Sequence, residues 1–116
     1  MMERMLAPEF DVLTAGGGAR ALEVLRDHPE IAVIITDQRM PEMTGVRLLE
    51  QAIQIAPNAI RIMVSAYTDT DDLLDAINVG QAHHYVVKPV SQERLLSAVH
   101  AALETRDRIM GLQKRA

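Results

Sequence analysis

The sequence predicts an α/β fold built on a parallel sheet, and three observations carry that reading. Short runs of apolar residues alternate with longer segments whose apolar positions recur every three or four residues, the pattern of strand–helix–strand units with parallel strands. The run Ile31-Ala-Val-Ile-Ile-Thr-Asp37 has no polar alternation, so it reads as a strand buried on both faces, as in sheets covered by helices on each side. Finally, 116 residues with 48% apolar content suffice for one domain's core, and one Phe, two Tyr and no Trp make that core aliphatic.

Taken in order, residues 1–10 read as the last turns of a helix stopped by Pro8, with Met2, Met5 and Leu6 needing a surface to lie on. Asp11-Val-Leu-Thr-Ala15 is the first strand candidate, ended by Gly16-Gly-Gly18. Those glycines lack the Lys-Ser/Thr pair that a phosphate-binding loop requires, since the chain continues Ala19-Arg-Ala-Leu22. They read as a strand-to-helix turn, and neither nucleotide nor flavin is expected there. A helix from Ala19 to His28 follows, with Ala21, Leu22, Val24 and Leu25 on its apolar side and Pro29 as its stop.

After the Ile31–Asp37 strand, a loop through Pro41 and Gly45 leads to a helix from about Val46 to Ala56, on which Val46, Leu49, Ile53 and Ala56 share a face. Ala59–Val64 is the next strand, closed by Ser65-Ala66. Thr68 or Thr70 can cap the next helix, whose first turn carries Asp71 and Asp72 and whose apolar side is Leu73, Leu74, Ile77 and Val79, ending at Gly80. His83–Val87 is the fourth strand, ending in Lys88-Pro89. Its two neighbouring histidines point to opposite faces and cannot share one metal in regular geometry. Ser91 opens the last helix, with Leu95, Leu96, Val99, Ala102 and Leu103 inward. Its periodicity runs on through Met110, so residues 104–116 read as a helical extension or linker of a single domain spanning 1–116.

Composition excludes several functions. No cysteine is present, which removes disulfides, thiolate metal sites and cysteine nucleophiles. A net charge of −4 without a basic cluster argues against direct nucleic-acid binding. No apolar run spans a bilayer and no signal peptide is seen, so the expected location is cytoplasmic, with no membrane partner. Met40 and Met43 read as loop packing.

Three strands end in a polar side chain the strand does not need: Asp37, Ser65 and Lys88. Parallel strands bring their carboxyl ends to one rim, where α/β sheets place their chemistry. A carboxylate to be modified, a hydroxyl to bond the added group and a lysine to neutralise it make a phosphoryl-acceptor site. The same residues are compatible with a simple Lys88–Asp37 salt bridge and a Ser65 that caps its own turn.

With these residues in place the chain resembles the receiver domain of two-component response regulators. The motifs are Asp37-Gln-Arg-Met-Pro-Glu-Met-Thr-Gly45, Met63-Val-Ser-Ala66 and Tyr85-Val-Val-Lys-Pro89, in the family's order and spacing from Asp11 to about Leu103. The resemblance implies a flavodoxin-like three-layer fold and a phosphorelay role. Asp37 would be the phosphoacceptor, Ser65 the hydroxyl and Lys88 the lysine of the site. Tyr85 would be the aromatic whose rotamer follows Ser65, and Lys88-Pro89 a cis peptide. Pro41 and Gly45 would shape the loop after Asp37, and the Arg39 backbone carbonyl would bind Mg²⁺. A histidine kinase or phosphotransfer protein is the implied partner, and aspartyl self-phosphorylation and dephosphorylation the only implied catalysis.

The departure from the family lies at the start. Members begin with a strand that ends in an acidic pair holding Mg²⁺, and no acidic pair precedes Asp11. The chain is thus read as a receiver fold missing its first strand, with four strands left in the order 2-1-3-4-5 less its second member. Mg²⁺ held by Asp37 and the Arg39 carbonyl alone would be weak, because Mg²⁺ demands near-octahedral oxygen ligation. Mg²⁺-dependent phosphorylation is therefore expected to be impaired. The unpaired strand edges left behind favour self-association, most simply as a dimer. The competing reading is an interaction or dimerisation module that works without phosphorylation.

Overall fold

The computed structural model describes residues 2–40, 42–66 and 70–115. Pro41 and Thr68 lie outside the described residues, as do the side chains of Thr70, Asp71 and Asp72. The elements run α1 (Met2–Leu6), α2 (Gly18–Asp27), β1 (Val33–Asp37), α3 (Gly45–Ile55), β2 (Ile60–Ser65), α4 (Thr70–Asn78), β3 (His84–Val87) and α5 (Gln92–Arg115). The strands form one parallel sheet in the order β1-β2-β3, with Val33 opposite Ile60, Asp37 opposite Val64 and Ser65 opposite Val87.

Helices cover both faces, giving three layers. On one side Leu22 and Leu25 of α2, Val46, Leu48, Leu49 and Ala52 of α3 and Ala76 of α4 pack with Ile34 and Met63 of the sheet. On the other, Leu6 of α1 and Leu95, Val99 and Ala102 of α5 pack with Ile60 and Ile62. Alternate residues of β2 thus feed opposite layers, as the period of two along a strand requires. All six β2 residues are buried. Met40 and Met43 pack against the first layer, as loop packing predicts.

The expected fourth strand does not form: Asp11–Ala15 is irregular, and among the described residues its backbone makes no hydrogen bonds. A strand exists only by its ladder, and β1 pairs with β2 alone. Among the described residues Asp11–Ala15 and β1 share no backbone hydrogen bond. Val12 still packs against the α5 layer while Leu13 is exposed. The reading of β1 as a strand buried on both faces is corrected for the same reason. Ile34 and Thr36 are buried, but Val33, Ile35 and Asp37 are only half-buried, because β1 is an outer strand.

On α4 the expected apolar side is also wrong in part. Leu74 and Ile77 are exposed, whereas Ala76 is fully buried with Leu73 and Val79 half-buried beside it. The small Ala76 lets α4 sit close to α3, and the larger residues turn outward. The last helix runs to Arg115, starting from Ser91, whose Oγ accepts the Arg94 N–H at 3.1 Å.

The turn from β1 into α3 is built by close backbone approach. Gly45 donates its N–H to the Gln38 carbonyl at 3.0 Å, and Thr44 caps α3 by accepting the Arg47 N–H. A Cβ on Gly45 would collide with the Asp37 carbonyl oxygen and lie 3.0 Å from Gln38 Cα. Only glycine permits this contact. In the same loop Glu42 takes a left-handed backbone, φ 69°.

Two consequences can be measured. Gly45→Ala forces the loop off Asp37 and should cost roughly 1–3 kcal/mol of stability, with the Asp37 and Gln38 amide resonances shifted most. Met63→Ala leaves a cavity under the centre of the sheet and should cost about 2–5 kcal/mol, read by denaturant unfolding.

Candidate functional site

The parallel register decides which side chains meet. Asp37 ends β1, Ser65 ends β2 one residue beyond the register partner of Asp37, and Lys88 follows β3 one residue beyond the partner of Ser65. The Lys88 N–H donates to the Ser65 carbonyl at 2.9 Å, so the ladder continues past β3 and carries the lysine to the rim. There the Lys88 ammonium forms an ion pair with Asp37 Oδ2. The three residues picked out from the sequence therefore lie at the carboxyl ends of adjacent strands.

The remaining bonds hold the acid in place. Arg39 donates its backbone N–H to Asp37 Oδ1 at 3.3 Å, and Thr36 Oγ1 donates to the Asp37 carbonyl at 3.0 Å. Gln38 is buried and its Oε1 accepts the Val46 N–H at 2.9 Å, tying the residue after the acid to the first turn of α3. Gln38 and Thr36 were not among the residues singled out by sequence. Only the burial of Gln38 reveals its role, since a glutamine in a loop gives no signal of its own. Ser65 is buried.

The Asp37 and Lys88 side chains keep 27% and 47% of their exposure, so water screens the pair and it contributes about 1 kcal/mol or less to stability. Its value is positional. Tyr85 packs its ring against the α3 layer, with its hydroxyl buried and without a hydrogen-bond partner among the described residues. Lys88-Pro89 is cis.

The donor set was weighed against a divalent cation. Among the described residues Asp37 is the one carboxylate at the strand ends, with one oxygen held by Lys88 and the other by the Arg39 N–H. Among the described residues no group of three or more His, Asp or Glu side chains is placed to hold a metal. Among the described residues Asp37 is thus the one strand-end side chain placed to contribute a carboxylate oxygen to a Mg²⁺ shell. The glycine turn lines a hollow with Ala19, Arg20 and Glu42. Arg20 there pairs with Glu23 at 2.9 Å. No described helix is long and apolar enough to cross a membrane.

Comparisons with known proteins agree with this geometry. The chain is 36% identical over 103 residues to the hydrogenase transcriptional regulatory protein HoxA of Cupriavidus necator, covering 89% of this chain and 21% of that protein. It is 37% identical over 96 residues to the chemotaxis protein CheY of Bacillus subtilis, covering 81% of this chain and 78% of that one. The chain thus spans about a fifth of the length of HoxA, 21%. Among solved structures, that of an adenylate cyclase from Rhodopirellula baltica superposes with a TM-score of 0.91 at 27% identity, over 97% of this chain and 84% of that one. A response regulator receiver domain protein from Clostridium thermocellum gives 0.86 at 27% identity, over 93% of this chain and 86% of that one. The response regulator receiver domain profile matches residues 1–100, and a rim built from Asp37, Ser65 and Lys88 on a helix-covered parallel sheet is of one piece with that match: this chain belongs to the response regulator receiver domain family.

Proposed function

We propose that the chain is a signalling module whose contacts respond to phosphoryl chemistry at Asp37, with Mg²⁺-dependent transfer impaired. The observation that carries this is the Lys88–Asp37 ion pair at the rim, which sets a cation where a phosphoryl group on Asp37 would bring charge. In the reaction an Asp37 carboxylate oxygen attacks the phosphorus of a phosphodonor, the bond to the donor's leaving group breaks, and an acyl phosphate remains. The added group brings about −1.5 to −2 charge, which Lys88 offsets as a point charge. Ser65 and Tyr85 are assigned as the hydroxyl and the aromatic that read the change, and Gly45, Pro41 and Pro89 as the loop residues that shape the site. A histidine kinase or phosphotransfer protein in the cytoplasm is the fitting donor. The last turns of α5 beyond Leu103 serve as an extension to whatever the module controls.

Impairment is inferred from the donors among the described residues. A Mg²⁺ ion at this rim would have Asp37 and the Arg39 carbonyl as its protein ligands, and Lys88 already competes for Asp37.

A second reading, self-association without phosphorylation, is favoured by one observation. Among the described residues the outer edge of β1 has no strand partner, and Val33–Asp37 carries no Lys, Pro or bulge to protect it. Such an edge pairs readily with another chain. The two readings share the fold and differ in whether Asp37 is modified.

Incubation with acetyl phosphate and Mg²⁺, followed by intact-mass measurement, should show slow addition of one phosphoryl group. Asp37→Asn should abolish it, and Lys88→Ala should slow it by about 10²-fold. An adduct that persists in Asp37→Asn refutes the assignment. Light scattering behind size-exclusion chromatography should report a dimer at micromolar concentration. A monomer throughout that range, with full helical content by circular dichroism, refutes self-association.

A further inference from the structure

At the opposite rim from Asp37, the turn joining α4 to β3 is held to β2 by a buried arginine. Arg61 is only 6% exposed, and its guanidinium donates Nε–H to the Gln81 carbonyl at 3.0 Å and Nη1–H to the Ala59 carbonyl at 3.1 Å. Its backbone carries the attachment further: the Arg61 N–H donates to His83 Nδ1 at 3.0 Å, and the Arg61 carbonyl accepts the His83 N–H at 2.8 Å. Gln81 takes a left-handed backbone, φ 51°, to present its carbonyl to the guanidinium. The turn is fastened to α4 as well, through Ala82 N–H to the Ala76 carbonyl at 2.8 Å.

The imidazole is the one titratable member of this attachment. An Nδ1 that accepts a hydrogen bond carries no proton, so the ring is neutral with its hydrogen on Nε2. Protonation puts a hydrogen on Nδ1, which then faces the Arg61 N–H donor to donor. It also places a second positive charge beside the guanidinium. Binding a proton at Nδ1 and accepting the Arg61 N–H there are therefore mutually exclusive.

We propose that the α4–β3 turn is an acid-released latch, closed while His83 Nδ1 accepts the Arg61 N–H and opened when that nitrogen is protonated. The charged and titratable groups acting on the ring are Arg61 on β2 and His84 on β3. Asp75, in α4's last turn, is exposed, and among the described residues no ion pair joins it to Arg61 or His84. Burial first, then Arg61 and then His84 hold the His83 pKa below its usual value of 6.5. Between that lowered value and 6.5 the unfolded chain binds the proton and the native one does not, so native stability falls as pH drops through that window. The latch is thus closed at neutral pH and opens at a pH below the ordinary histidine value. What it releases is the turn leading into β3, the strand that Lys88 follows.

Amide exchange by NMR from pH 7.5 to 5.0, corrected for intrinsic rates, tests this. The Arg61 amide should lose at least tenfold of its protection as the His83 ring titrates, while Met63 and Val64 amides stay protected. His83→Asn keeps an acceptor at the same position without a titrating group, and its Arg61 protection should be independent of pH. Arg61 protection that ignores the His83 titration overturns the proposal. So does an equal pH-dependent loss in His83→Asn, or a parallel loss across all of β2.

Discussion

The structure depends on the burial of β2. It is the strand with ladder partners on both sides, and its six residues are shut away from water. A strand so placed must satisfy every backbone group through its neighbours, which fixes the register of β1 and β3 against it. A slip of one residue would send Ile60 and Ile62 into the layer that holds Met63. Because both pairings are parallel, a fixed register also fixes which residues emerge together at the rim. The positions of Asp37, Ser65 and Lys88 are in this sense consequences of a hydrophobic core that none of them belongs to, apart from the buried Ser65.

Beyond the ladder, the loop after β1 is shaped by groups whose contribution is steric or hydrogen-bonding. Gly45 permits the chain to fold back onto the Asp37 carbonyl, and Gln38 turns a side-chain amide inward to take the first free N–H of α3. The Lys88–Asp37 pair adds little stability for its cost in side-chain entropy, and it is best understood as a charge held ready at the rim. The two ends of the sheet are thus built on different chemistry. At the carboxyl ends a half-exposed ion pair faces solvent, and at the amino ends a buried guanidinium is bonded to carbonyl oxygens.

The outer edge of β1 is where local pattern and tertiary context part company. An unbroken apolar run reads as an interior strand, yet Val33 and Ile35 are only half-covered. Asp11–Ala15 has some strand character of its own, with Val12 inward and Leu13 outward, but it stays irregular because no neighbour is there to bond its backbone. On α4 the spacing of Leu73, Leu74, Ile77 and Val79 suggested one apolar side. Ala76, the least conspicuous apolar residue of the helix, is the one buried against α3.

The amino-acid sequence by itself determined the helix and strand types, the parallel arrangement and the three polar strand ends, because periodicity and chain direction are local properties that survive without knowledge of neighbours. It also carried the loop motif from Asp37 to Gly45 and the Lys88-Pro89 pair. Tertiary structure alone decided that, among the described residues, three strands and not four make the sheet, that Gln38 organises the loop, and that Arg61 of β2 is bonded to the turn carrying Gln81 and His83. Each of those depends on a hydrogen-bond partner far away in sequence, and a backbone or side-chain group shows no sign of its partner until the chain has folded.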